Sequence, residues 1–116
     1  MDIYHIWFNL KDDVRDVEFT DAVGGYLGHL KAAGSVATFR ITRRKLGLGH
    51  PNLPEWNITI EFQDMAQMDK AFERVSSRAN PVEGLHQAVN SKVKDIFFAL
   101  YRDFPDPGRQ RGQEKF

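Results

Sequence analysis

No cysteine occurs among the 116 residues. That absence excludes a disulfide scaffold, a thiol nucleophile, a thiolate-held zinc ion and an iron–sulfur cluster. Charge of one sign is missing too: 16 Lys and Arg balance 16 Asp and Glu. No global field therefore draws the protein to nucleic acid or to an anionic membrane, and neither is expected as a partner. No apolar run approaches the roughly 20 residues that cross a bilayer. The opening MDIYHIWFNLK begins with an acid and lacks a basic stretch and a cleavage site, so no signal peptide is expected and a cytoplasmic location is. The sequence has no P-loop, no nucleophile elbow and no GxGxxG. What remains is a globular balance of 41% hydrophobic and 28% charged residues, suited to one core. A single domain is expected over residues 1–104, followed by a polar tail without periodicity over 105–116.

The pattern of apolar residues supplies the elements. Ile3 to Leu10 is rich in β-branched and aromatic residues and reads as a strand. From Asp16 to Ala33, Phe19, Ala22, Val23, Tyr26, Leu27 and Leu30 recur at helical steps. Asp12, Asp13 or Asp16 is positioned to cap that helix, and Gly34 to end it in a left-handed conformation. Gly24, Gly25 and Gly28 inside it suggest close packing on a sheet, or else approach to a ligand. Ser35 to Lys45 and Glu55 to Phe62 alternate with period two, on either side of a Gly/Pro loop. Asp64 with Gln67 marks a capped second helix whose stripe is Met65, Met68, Ala71, Phe72 and Val75. Asn80-Pro81-Val82-Glu83 marks a third, running to about Lys92 with Leu85, Ala88 and Val89 inward. Val93 to Arg102 is the last strand. The order is strand, helix, strand, strand, two helices, strand. It predicts a ferredoxin-like α+β fold, a four-stranded antiparallel sheet with its helices on one face.

Alternation then sorts the strand residues. Tyr4, Ile6, Phe8, Phe39, Ile41, Trp56, Ile58, Ile60, Ile96 and Phe98 fall on the helix side. His5, Trp7, Asn9, Thr38, Arg40, Thr42, Asn57, Thr59, Glu61, Phe97 and Tyr101 fall on the other. That second face is too aromatic for plain solvent and too polar for plain core, which fits either a ligand-binding wall or a dimer interface. His5 is the candidate acid or base, because imidazole titrates near neutral pH; the alternative is a histidine satisfied within the core. Arg40 is a candidate anion anchor, or the partner of Glu61 in a cross-strand ion pair. Trp7 and Tyr101 form the wall, Asn57 and Glu61 supply polar contacts, and His86 or Asn90, four apart on one side of the third helix, reaches toward the sheet's end. His29 and His50 read as surface residues. No histidine spacing or acidic cluster specifies a metal, and no metal or other cofactor is expected. The basic cluster of Arg40, Arg43, Arg44 and Lys45 lacks the aromatic strand pattern of an RNA-recognition domain. It reads as a solvated strand end, or as an anchor for a carboxylate or phosphate.

The stretches MDIYHIWFNLK, RITRRKLGLG, SRANPVEGLHQAVN and FFALYRDFPD resemble a family of small bacterial proteins of unknown function. The resemblance runs from Met1 to about Asp106 and implies no catalytic residues. More distantly, the plan is similar to that of the dimeric α+β barrels, in which two ferredoxin-like sheets meet face to face. That group includes cofactor-independent monooxygenases, chlorite dismutase-like haem proteins and muconolactone isomerase-like enzymes. The expectation is a homodimer that binds a small aromatic or anionic molecule in the sheet cavity, acting as a monooxygenase- or isomerase-like enzyme without a cofactor. A binding or regulatory module without chemistry, and a purely structural dimer, are the alternatives.

Overall fold

A computed structural model describes residues 1–106 of the chain. Of the expected tail, residues 107–116 lie outside the described residues. The elements are β1 (Asp2–Leu10), α1 (Asp16–Ala32), β2 (Thr38–Arg43), β3 (Trp56–Phe62), α2 (Met65–Ser76), α3 (Val82–Asn90) and β4 (Val93–Arg102). The strands pair antiparallel in the order β2-β3-β1-β4, the ferredoxin-like arrangement.

Alternation on β3 builds the core directly. Trp56, Ile58, Ile60 and Phe62 are buried and pack with Phe8, Phe19, Val23, Leu27 and Met68. Antiparallel partners share a face, so the register carries this division across the sheet. Ile6 lies opposite Ile58 and Phe98, whereas His5 lies opposite Thr59 and Ala99. At one end, buried Asp2 accepts a hydrogen bond from Arg102 Nε at 2.5 Å, tying the first strand to the last. At the other, the β1–β4 register shifts between Trp7 and Asn9.

The helix ends depart from expectation in instructive ways. Arg15, not an aspartate, is the N-cap of α1, and Asp16 Oδ1 accepts from the N–H of Val17 at 2.7 Å. Gly34 does end α1, at φ 76°, with the Ser35 N–H returning to Leu30 O at 2.8 Å. Asp64 caps α2 by accepting from the Gln67 N–H at 2.8 Å. The Gln67 side chain reaches back one residue further than a capping box requires, taking the Gln63 N–H at 2.7 Å. In α3 the cap residue is Pro81 and Asn80 does not cap; the Glu83 N–H bonds to the Ala79 carbonyl at 3.0 Å instead. Val82 rather than Ala88 is the buried residue of α3. Close packing does not explain the α1 glycines. A Cβ added at Gly24 or Gly28 meets nothing within 4 Å, and one at Gly25 meets only the Leu85 side chain, at 3.9 Å.

The largest departure is at the edge of the sheet. Helices α1 and α2 lie against β2 and β3, α3 packs on α1, and none packs closely along β4. Phe98 and Leu100 therefore stay exposed on the helix side, and Phe97 and Tyr101 on the other. Phe72, expected in the apolar stripe of α2, is 45% exposed for the same reason: it overhangs the uncovered edge.

Candidate functional site

Two regions qualify, one on each side of the sheet. The side without helices gathers the residues that alternation assigned to it, except at one end. His5 and Trp7, two apart on β1, project together and their rings stack at 5.1 Å. Tyr101 meets His5 edge-on at 5.0 Å. His5 Nδ1 is buried and has no hydrogen-bond partner among the described residues. Arg40 faces Thr59 and Glu61 faces Thr38, so the two charges sit diagonally, and no ion pair joins them among the described residues. The Asn57 side chain is committed to the sheet, donating to Ile6 O at 3.2 Å. Asn9 falls beyond the register shift and leaves this group; it accepts from the Glu55 N–H at 2.9 Å and donates to Asp95 at 3.2 Å.

Two residues of the basic cluster are engaged within the fold. Arg43 pairs with Glu55 at 2.7 Å and Asp16 at 3.3 Å, and its guanidinium lies 4.9 Å from the centre of the Trp56 ring. The Arg44 guanidinium crosses the β2–β3 loop, donating to the Leu53 and Pro54 carbonyls and lying against Gly49. Both side chains are structural fasteners, which leaves neither free to hold an anion.

The helix side holds a cavity of about 590 Å³ between the sheet and all three helices. That volume falls within the range of small-molecule sites. Ile6, Phe8, Ile58 and Ile60 form its floor, Tyr26 and Leu27 of α1 one wall, and Phe72 and Val75 of α2 another. His86 and Asn90, four apart on α3, supply polar groups, and the Tyr26 and His86 rings meet edge-on at 5.5 Å. His86 has no hydrogen bond to its side chain among the described residues. Burial, and then the Glu83 carboxylate, push the Tyr26 hydroxyl up to about 12. It stays protonated at neutral pH, a fixed donor. Burial likewise raises Tyr4 above its ordinary value.

The structure thus divides the seven expected site residues. His5, Trp7, Arg40, Asn57, Glu61 and Tyr101 share the helix-free face; His86 alone lines the cavity. Sequence reading paired Asn90 with His86 on one side of the third helix but assigned Tyr4, Tyr26 and Phe72 to no site. For Tyr4 and Tyr26 the signal was a tyrosine within an apolar stripe, a residue whose hydroxyl needs a partner wherever it is buried; Phe72 carried no such signal. Among the described residues no group of His, Asp and Glu is arranged to hold a metal ion, and no helix is long and apolar enough to cross a membrane.

Solved structures place this fold. A protein of Arabidopsis thaliana matches with TM-score 0.70 and 9% identity, over 89% of this chain and 95% of that one. SnoaB from Streptomyces nogalater, a cofactor-independent oxygenase, matches with TM-score 0.68 and 7% identity, over 93% and 97%. A dimeric ferredoxin-like protein of unknown function from Jannaschia sp. matches with TM-score 0.64 and 11% identity, over 89% and 100%. At these identities the likeness is one of fold. No curated protein matches the chain. The chain belongs to DUF6614, a family of unknown function, whose profile covers residues 1–116.

Proposed function

We propose that the protein is a homodimer in which each protomer binds a small, largely aromatic organic molecule in its helix-side cavity and moves a proton on it without a cofactor. The observation that carries this reading is the cavity of about 590 Å³ with Tyr26 and His86 edge to edge in its lining. His86 acts as the proton acceptor, because a neutral imidazole in reach of a bound C–H or O–H is the side chain suited to that task. Tyr26 donates a hydrogen bond to the oxygen on which negative charge develops. The proton leaves the substrate for the His86 ring and returns to another position, an isomerase-like outcome. The likeness to a cofactor-independent oxygenase supports chemistry without a cofactor.

The helix-free face serves as the dimer interface. Phe97 and Tyr101 are 51% and 59% exposed in the isolated chain, an aromatic patch that a second copy of the sheet would cover. The likeness to a dimeric ferredoxin-like protein supports a dimer. Native mass spectrometry of the freshly purified protein tests both parts. The expected result is a dimer carrying one retained organic mass per protomer, lost when Ile58→Trp fills the cavity. A bare monomer overturns the reading.

A second reading puts the ligand between the two sheets, with His5 as the base and Arg40 as the anchor. The unpartnered Nδ1 of His5 favours it. Retention of the organic mass in the Ile58→Trp variant, and its loss in His5→Ala, distinguish the second site from the first.

A further inference from the structure

We propose that the mouth of the helix-side cavity recognises an organic ammonium group, so that the molecule bound there is an aromatic cation. This rests on the ligand-binding reading and sets the charge of the ligand.

Helix α2 presents Asp69, Phe72, Glu73 and Ser76 to the cavity, at steps of three and four residues that bring them onto one face. Asp69 and Glu73 are exposed, which places their carboxylates at the mouth. Neither side chain has an ion pair or hydrogen bond among the described residues. No lysine or arginine lines the cavity. Two like charges four residues apart on a helix repel each other; Lys70 and Arg74 also stand on α2 but do not line the cavity, so no counter-charge faces the two carboxylates inside it. A bound cation supplies one.

The aromatic residues beside them fit the same ligand. Tyr4 meets Phe72 edge-on at 5.5 Å and stacks on Phe98 at 5.7 Å, so three rings border the opening. Phe98 is 61% exposed, leaving its ring available to a guest. Ring faces carry negative quadrupole charge and attract ammonium groups, more strongly as water is displaced. Deeper in, Tyr26, His86 and Asn90 offer polar groups to the rest of the molecule. A carboxylate ligand would meet two anions and no counter-charge. Arg40, a candidate anion anchor, lies across the sheet.

Three probes of one shape test the proposal: naphthylmethylammonium, naphthoate and neutral methylnaphthalene, each titrated calorimetrically into the intact protein. The ammonium is expected to bind about tenfold more tightly than methylnaphthalene, and naphthoate more weakly than either. Added salt narrows the gap. In the double variant Asp69→Asn with Glu73→Gln, the ammonium falls to within about twofold of methylnaphthalene, whose own affinity is unchanged. An ammonium that binds no better than naphthoate, or a preference that survives the double variant, overturns the proposal while leaving the ligand-binding reading in place. Failure of all three probes to bind overturns both.

Discussion

The two faces of the sheet are cut from the same four strands, residue by residue in alternation, and they do different things. On the helix side, large apolar groups meet an overhanging layer of helices. Because that layer stops short of β4, a cavity opens between them. On the other side, residues of similar size meet nothing, and the result is a flat patch where His5, Trp7 and Tyr101 cover one another. A sheet face alone offers a surface for another sheet. Concavity requires a second layer that is incomplete. Aromatic residues mixed with polar ones on a strand therefore mark an interface as readily as a binding site.

Substitutions can break that division at either face. The largest effect is expected from Trp7→Glu, which places a charge at the centre of the helix-free face. An unpaired charge in a buried interface is strongly disfavoured, so dimers should give way to monomers at micromolar concentration in sedimentation velocity, with the cavity ligand still bound. A next contrast sets the two histidines against each other. His86→Ala should slow ligand-dependent proton exchange by about 10²–10⁴-fold while the dimer persists. His5→Ala should leave that exchange rate within a small factor and alter only dimer stability.

Smaller effects sharpen the comparison. The folded chain raises the Tyr26 hydroxyl from 10.0 to about 12 and so prefers it protonated. Its contribution to stability is complete below pH 10.0 and is lost as pH rises through about 12. Chemical denaturation across that window should show a steeper decline for the native protein than for Tyr26→Phe. Smallest of all, Gly24→Ala should stabilise the protein by about 0.5–1 kcal/mol, because α1 gains helix propensity where an added methyl meets nothing within 4 Å. A loss of stability, read as a lower Tm, would mean that the glycine faces a neighbour outside the single chain.

The division of faces was legible because strand periodicity is strict. Once Trp56, Ile58, Ile60 and Phe62 are inside, the register leaves Asn57, Thr59 and Glu61 on the other face. The order of elements likewise specified the sheet. The cavity was not legible. Periodicity states that Tyr26 lies on the inner stripe of α1 and His86 on one side of α3, but their meeting depends on where two helix axes cross, which no local pattern encodes. The same limit hid the exposure of Phe72 and Phe98, since alternation gives the side of a residue and not whether a helix reaches it. Nor did the sequence show that Arg43 and Arg44 are engaged by Glu55, Asp16 and the loop carbonyls, contacts made across the hairpin and its neighbouring helix.

The join between Asp2 and Arg102 has a consequence for how β4 moves. Edge strands are where a sheet frays, and β4 has β1 as its one strand neighbour. The Asp2 carboxylate, 4% exposed, latches the far end of that strand, while the near end carries the register shift and the left-handed Asp95 at φ 55°. Peeling should therefore start at Val93 and stop at the latch, so amide protons near Lys94 are expected to exchange before those near Tyr101 when hydrogen exchange is followed residue by residue. Such an opening would begin beside Ile96 and Phe98, which are themselves part of the cavity wall.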